Sequence, residues 1–305
     1  MRPPEPIVSR LGSAFFPVWF PFFRWLSVRM DPDWIARLAD ITIERAIWGR
    51  ESVRDAILEN HAHVLGRPVT DGRVEASARE MISRHSRQWI DLLRYSGRPD
   101  IDPHTLVSEH IGEEELLAAQ RAGVGGILLT AHVGNFELGG LFLRELGLDL
   151  FAVYVPDPSP AVERHRAFAR AELGVKGIAV TSSPFAFLPM LRALKQNSFL
   201  AMQGDRDFSG TGRPLPFFGE TARFPIGPFR LAQTSGAPLF PVFVLQDSDG
   251  LYRTVVEPPI RLGNLGTEAE KEAALTAAMQ HFVAILTRTI RQDPTQWYLF
   301  TRFFS

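Results

Sequence analysis

The spacing of apolar residues divides the chain into two parts. Between residues 33 and 95 they recur at helical intervals: Ile35, Leu38, Ile41 and Trp48; Val53, Ile57, Leu58 and Val64-Leu65; Val74, Ala78, Met81-Ile82, Trp89 and Leu92-Leu93. That period predicts amphipathic helices. Gly66-Arg-Pro68 and Gly97-Arg-Pro99 punctuate them. Residues 104–122 read as one more helix. From 126 onward, short apolar runs alternate with helical patterns. Strands are predicted at 126–131, 149–155, 177–181, 198–202, 238–245 and near 251–256. Helices are predicted at 135–146, 160–173, 184–196, near 226–235 and over 267–291, with a long loop after 202. Strands alternating with helices predict an α/β fold with a mostly parallel central sheet flanked by helices. The expected organisation is an aromatic segment at 1–30, a helical N-terminal extension at 31–122 packed on the core, and the α/β core at 123–305.

Composition narrows the class. Apolar residues make up 45% of the 305 positions, enough for a sizeable core, and the net charge of −1 gives no support to nucleic-acid binding. With no cysteine, disulfides, Cys-ligated metals and thiol chemistry are excluded. The aromatic residues are more telling. Phe15, Phe16, Trp19, Phe20, Phe22, Phe23 and Trp25 crowd together, flanked by Arg24 and Arg29. The apolar stretch from Leu11 to Phe23 is shorter than the ~20 residues a spanning helix needs. Pro17 and Pro21 interrupt it. Aromatic and basic residues together suit a membrane interface, so a monotopic anchor is expected. A buried arm or a partner helix are the alternatives.

Four segments carry candidate chemistry. In Gly126-Ile-Leu-Leu-Thr-Ala-His132-Val-Gly-Asn135-Phe-Glu137, a strand ends on a histidine, Asn135 can cap the next helix, and Glu137 falls in its first turn. An acid near an imidazole can orient it and stabilise its protonated form, which makes His132 a candidate general base. A histidine that merely caps a strand is the alternative. In Met202-Gln-Gly-Asp205-Arg206-Asp207-Phe208, two carboxylates follow another strand. They could orient an acceptor, pair with an arginine, or complement His132; a local ion-pair cluster or a metal-nucleotide site are further readings. In Phe217-Phe218-Gly-Glu-Thr-Ala-Arg223-Phe-Pro225-Ile-Gly227-Pro228, the phenylalanines can form an apolar wall. Pro225 can start a helix whose free N–H groups would meet a phosphate or an oxyanion. Arg223 adds a forked cation suited to phosphate. Arg170, with Arg166 one turn before it, could clamp an anionic group, or the face could simply be solvated. The other histidines form no metal-ligand framework and read as surface or cap residues.

Together these segments resemble the lysophospholipid acyltransferase superfamily, and within it the bacterial lipid A biosynthesis (late) acyltransferases. The likeness rests on the His132-x4-Glu137 pattern, the Asp205-Arg-Asp207 loop, the Phe-Phe-Gly to Pro-x-Gly run, Arg170 before Gly174, and Pro294-Thr-Gln-Trp297-Tyr-Leu-Phe-Thr-Arg302-Phe at the end. It implies a glycerol-3-phosphate acyltransferase-like core and transfer of a fatty acyl chain from acyl carrier protein or coenzyme A to a glycolipid hydroxyl. His132 would be the base and Glu137 its orienting acid. Substrate contacts would come from Asn135, Arg170, Asp205, Arg206, Asp207, Phe218, Arg223 and Gly227. No cofactor or metal is implied. The expected partners are the acyl thioester, the glycolipid acceptor and membrane lipids, and the expected location is the cytoplasmic face of a bacterial inner membrane. Gly204-Asp-Arg-Asp and Ala222-Arg-Phe-Pro depart from the forms frequent in lipid A enzymes. They lean toward relatives acting on phosphatidylinositol mannoside, aryl polyene or ornithine lipid acceptors. Hydrolysis of the thioester and non-catalytic lipid binding are the competing functions.

Overall fold

Continuous apolar runs become strands buried on both faces. The computed structural model describes residue 22 and residues 25–95, 102–157, 159–180, 183, 185–208, 210–263 and 266–304. Most of the aromatic segment expected to anchor the chain lies outside these. Three helices lead in: α1 (Pro32–Trp48), α2 (Glu51–Leu65) and α3 (Gly72–Tyr95). Strand β1 (Val107–Ile111) and helix α4 (Glu114–Arg121) follow. The core then runs β2 (Gly126–Thr130), α5 (Gly139–Glu145), β3 (Leu150–Tyr154), α6 (Pro160–Glu172), β4 (Lys176–Ala179), α7 (Leu188–Lys195) and β5 (Phe199–Gln203). A hairpin of β6 (Arg213–Phe217) and β7 (Glu220–Phe224) precedes α8 (Gly227–Ser235), β8 (Leu239–Gln246), β9 (Tyr252–Val256) and α9 (Glu268–Gln292).

Seven strands form one sheet in the order β1-β9-β8-β2-β5-β3-β4. Strands β8, β2, β5, β3 and β4 are parallel, while β9 runs antiparallel to β8 and carries β1 parallel to itself. Ile127 and Leu129 of β2 face a core shared with α7, α8 and α9; Leu128 faces a second core shared with α3, α4 and α5. Sandwiching β2 in this way explains its unbroken apolar sequence. The parallel strands end on one edge, which is where ligands meet sheets of this kind.

Three expectations change. Residues 104–122 are a short 3-10 turn, an edge strand and a helix, so β1 draws this part of the lead-in into the central sheet. Helix α5 begins at Gly139, not 135, and residues 136–138 form a turn. The loop after β5 contains the β6–β7 hairpin, turned by Phe218 at φ 49° and Gly219 at φ 86°. Two successive positive φ angles match the twist of a tight hairpin.

Candidate active site

Strands β2 and β5 pair in register, Thr130 opposite Gln203, so the residues after each leave the sheet side by side. The N–H of Gly204 donates to the Thr130 carbonyl at 2.8 Å, extending that pairing. Asp205 follows, fully buried. Its two oxygens meet His132 twice: Oδ2 accepts the His132 backbone N–H at 2.9 Å, and Oδ1 lies 2.9 Å from Nδ1. A carboxylate on Nδ1 assigns the proton to that nitrogen and leaves Nε2 as the basic atom. Burial pushes the Asp205 carboxyl upward; the charge on His132, the two bonds from His132 and nearby Arg206 outweigh it and hold the carboxyl below its ordinary value. An ionised, rigidly held acid thus backs an imidazole whose Nε2 makes no hydrogen bond among the described residues. That is the arrangement a general base requires.

The carboxylate on His132 is therefore Asp205, which of the readings open to it takes the one that complements the imidazole. Glu137 makes no hydrogen bond or ion pair among the described residues. It sits on the turn after Asn135, beside Phe136, whose ring meets that of His132 edge-on at 5.6 Å. Asn135 is buried. Its Oδ1 accepts from Leu138 N–H at 3.2 Å and its Nδ2 donates to the Tyr252 hydroxyl at 3.0 Å. It caps a turn, as its residue type suggests, but internal partners occupy its side chain.

Most of the other candidates have local partners of their own. Arg206 is half-buried, its guanidinium 4.7 Å from the centre of the Phe208 ring. Asp207 accepts from Gly212 N–H at 2.6 Å and closes the loop ahead of the hairpin. Arg223, exposed on β7, donates to the Gly212 carbonyl at 3.0 Å. Phe218 forms the hairpin turn beneath the Arg291 guanidinium. Gly227 opens α8, and because α8 leads into β8 its N-terminus lies at the carboxyl edge of the sheet. Arg170 stands apart, two strands from β2. It pairs with Glu163 at 2.7 Å and lies over the Tyr154 ring at 3.9 Å. Among the described residues no group of three or more His, Asp or Glu could hold a metal.

Sequence reasoning missed the groups that hold His132 from behind. Tyr298 N–H donates to the His132 carbonyl at 2.7 Å, and Gly134 N–H donates to the Gln296 carbonyl at 2.9 Å. The terminal Pro-Thr-Gln-Trp run is thus a strap across the His132 segment. Gln296 is itself clamped to Gln246 by bonds of 2.8 and 3.0 Å. The expectation that the remaining histidines are surface or cap residues fails for His61 and His85. His61 is buried, its imidazole lowered to about 4 by burial. His85 lies against Tyr298 and Phe300; burial, and then the charge on His132, lower it to about 4. It accepts from Trp89 Nε1–H at 3.3 Å. The spacing His85-x3-Trp89, one helical turn, was the available signal.

An imidazole with a free Nε2 and an ionised acid on Nδ1, at the carboxyl edge of a mostly parallel sheet, suits enzymes that deprotonate a hydroxyl. The family resolves which: the chain belongs to the bacterial lipid A biosynthesis acyltransferase family, whose model matches residues 9–305, and it is an acyltransferase. It is 29% identical over 286 residues to the phosphatidylinositol mannoside acyltransferase of Mycobacterium tuberculosis (strain ATCC 25618 / H37Rv), covering 90% of this chain and 84% of that protein. To the phosphatidylinositol mannoside acyltransferase of Mycolicibacterium smegmatis it is 28% identical over 254 residues, covering 80% and 77%. Among solved structures, the 1-acyl-sn-glycerophosphate acyltransferase PlsC of Thermotoga maritima aligns over 82% of this chain and 97% of its own, with 14% identity and a TM-score of 0.36.

Proposed function

We propose that this acyltransferase moves a fatty acyl chain from a thioester, carried by acyl carrier protein or coenzyme A, to a hydroxyl of a glycolipid of the phosphatidylinositol mannoside type. The observation that carries the chemistry is the double contact between Asp205 and His132. His132 Nε2 takes the acceptor's proton as the oxygen attacks the thioester carbonyl. The tetrahedral adduct then collapses, the C–S bond breaks, and the thiolate recovers the proton from the imidazolium. Asp205 offsets the imidazolium charge throughout, and no acyl-enzyme forms. Glu137, without a hydrogen bond or ion pair among the described residues, is left for the acceptor's hydroxyls. The acceptor assignment is supported by the relatives and by the Asp205-Arg-Asp207 and Ala222-Arg-Phe-Pro forms.

In this reading the enzyme works on the cytoplasmic surface of the inner membrane. Trp34, Ile41 and Ile43 are exposed on α1, as are Phe22 and Trp25 on helical residues ahead of it, and Arg29 lies over Trp25. Exposed aromatic and apolar side chains with a neighbouring arginine suit the headgroup boundary. No helix among the described residues is long and apolar enough to cross a membrane.

The test uses palmitoyl-coenzyme A and phosphatidylinositol mannoside in anionic vesicles, with acylated product read by mass spectrometry. His132→Ala is expected to lower transfer by about 10²–10⁴-fold, the range for loss of a general base. Wild-type transfer by folded His132→Ala protein would overturn the mechanism; release of free acid without acylated lipid would point to a hydrolase. Wild-type protein should also sediment with the vesicles, and failure to do so would sink the membrane reading.

A further inference from the structure

We propose that Asn135, Tyr252 and Asp91 form a positioning chain through which helix α3 and strand β9 set the geometry of the His132 segment. This rests on the reading of His132 as the base. The chain starts from the burial of its members. Asn135 is 2% exposed and Tyr252 3%. Asn135 uses its backbone N–H on the Val244 carbonyl at 2.7 Å, its Oδ1 on Leu138 N–H and its Nδ2 on the Tyr252 hydroxyl. So engaged, the side chain is withdrawn from any substrate, and its function has to act through what it holds.

The direction of each bond is forced. Tyr252 has one hydroxyl proton and gives it to Asp91 Oδ2. Above about pH 6 the Asp91 carboxyl is ionised and only accepts. The phenolic oxygen therefore faces Asn135 as an acceptor, and Asn135 must present its NH₂ there. Its oxygen is then turned to Leu138, 3.2 Å away. With the amide reversed, two acceptor oxygens would meet in a buried space, a cost of about 1–3 kcal/mol for the unmade bonds. Asp91 on α3 thus fixes the orientation of an amide two hydrogen bonds away.

That orientation shapes the site. The Asn135-to-Leu138 bond closes the turn that carries Phe136 and Glu137, and Phe136 packs edge-on against the His132 ring at 5.6 Å. The turn has little freedom to settle otherwise. Gly134, at φ +62°, lies so close to the sheet that an added Cβ would come within 2.0 Å of the Val244 carbonyl oxygen. A side chain there is excluded both by contact and by conformation. The segment is therefore fixed by the strap on one side and by the Asn135–Tyr252–Asp91 chain on the other. None of the three touches the atoms that react; they are positioning residues.

The experiment compares kcat and KM for palmitoyl-coenzyme A with phosphatidylinositol mannoside, and the melting temperature, in four variants. Asn135→Asp keeps the shape but cannot donate to Tyr252. Tyr252→Phe removes the relay, and Asp91→Leu removes the acceptor. Each is expected to lower kcat about 10- to 100-fold, as small misplacements near reacting atoms do, while KM stays within about twofold. Asp91→Asn retains an oxygen for the Tyr252 proton and should restore kcat to near wild type. The Asn and Leu variants at Asp91 both lose the charge, so their difference isolates the hydrogen bond. Wild-type kcat in folded Asn135→Asp and Tyr252→Phe would overturn the proposal. So would an Asp91→Asn variant as slow as Asp91→Leu, or losses that merely track the folded fraction. If His132→Ala itself retains full transfer, the reading of the base fails instead, and that result is distinguishable from these.

Discussion

Two aspartates hold the His132 segment, Asp205 fully buried and Asp91 half-buried, and their surroundings drive them in opposite directions. Asp205, after β5, receives a backbone N–H, an imidazole N–H and the field of Arg206; its carboxyl is held below the ordinary value despite full burial. Asp91, on α3, receives the neutral hydroxyl of Tyr252; burial dominates and its carboxyl rises to about 6, with Tyr252 and the charges of Arg94 and Arg87 only partly opposing. A buried carboxylate stays ionised when a charge and several donors outweigh its burial, and drifts toward neutrality when one neutral donor and weaker charge interactions do not. The first suits an acid that must stabilise a cation during turnover. The second suits one that only has to accept a hydrogen bond.

The largest effect expected from this difference is on catalysis. Asp205→Asn keeps shape but removes the charge, and its amide can present NH₂ to Nδ1. The imidazole would then carry its proton on Nε2, the atom proposed to act as base. In hydrolases that use the same His–Asp logic, this exchange costs about 10⁴-fold in kcat. A comparable fall is expected here, read as acylated lipid per folded enzyme. A loss under about tenfold would mean that His132 is oriented by something other than Asp205.

What was legible in the sequence follows the same division between strong and weak constraints. Strands β2, β5 and β8 announced themselves because burial on both faces demands unbroken apolar runs. Strand β1 did not: in Val107-Ser-Glu-His-Ile111 four of the five residues are exposed, and an edge strand needs no apolar face. Strand β6 was hidden by Pro214 and Pro216, which a two-stranded ribbon tolerates where a central strand would not. Its turn uses Phe218 in place of the usual asparagine. At the site, His132 could be read from its place at the end of a strand. Its acid could not, because the spacing His132-x4-Glu137 puts both side chains on one face only if a helix starts at Asn135. The chain turns there, and the bonded carboxylate comes from 73 residues away. The parallel pairing of β2 with β5 brings it in, and a single sequence does not state that pairing. The Asn135–Tyr252–Asp91 chain was less visible still, since its polar residues lie within apolar patterns on three distant elements.

The smaller effect is on stability, and its sign separates the two acids. The ordinary carboxylate value of about 4 describes the unfolded chain. Between there and about 6, folded Asp91 keeps a proton that the unfolded chain has released. The contribution of Asp91 to stability should therefore fall as pH rises through this window, by at most about 1.4 kcal/mol per pH unit, and level off above it. Asp91→Asn has no proton to exchange, so its stability relative to wild type should climb from pH ~4 to ~6 and then stay constant. Asp205 works the other way. Its lowered carboxyl contributes stability that is complete above the unfolded value and disappears as acid protonates the folded form. The advantage of wild type over Asp205→Asn should hold through the pH 4–6 window and shrink only below it. Urea denaturation at stepped pH measures both curves. If Asp91→Asn runs parallel to wild type across the window, Asp91 is ionised in the fold like Asp205, and the Tyr252 hydroxyl with the charges of Arg94 and Arg87 is enough to offset its burial.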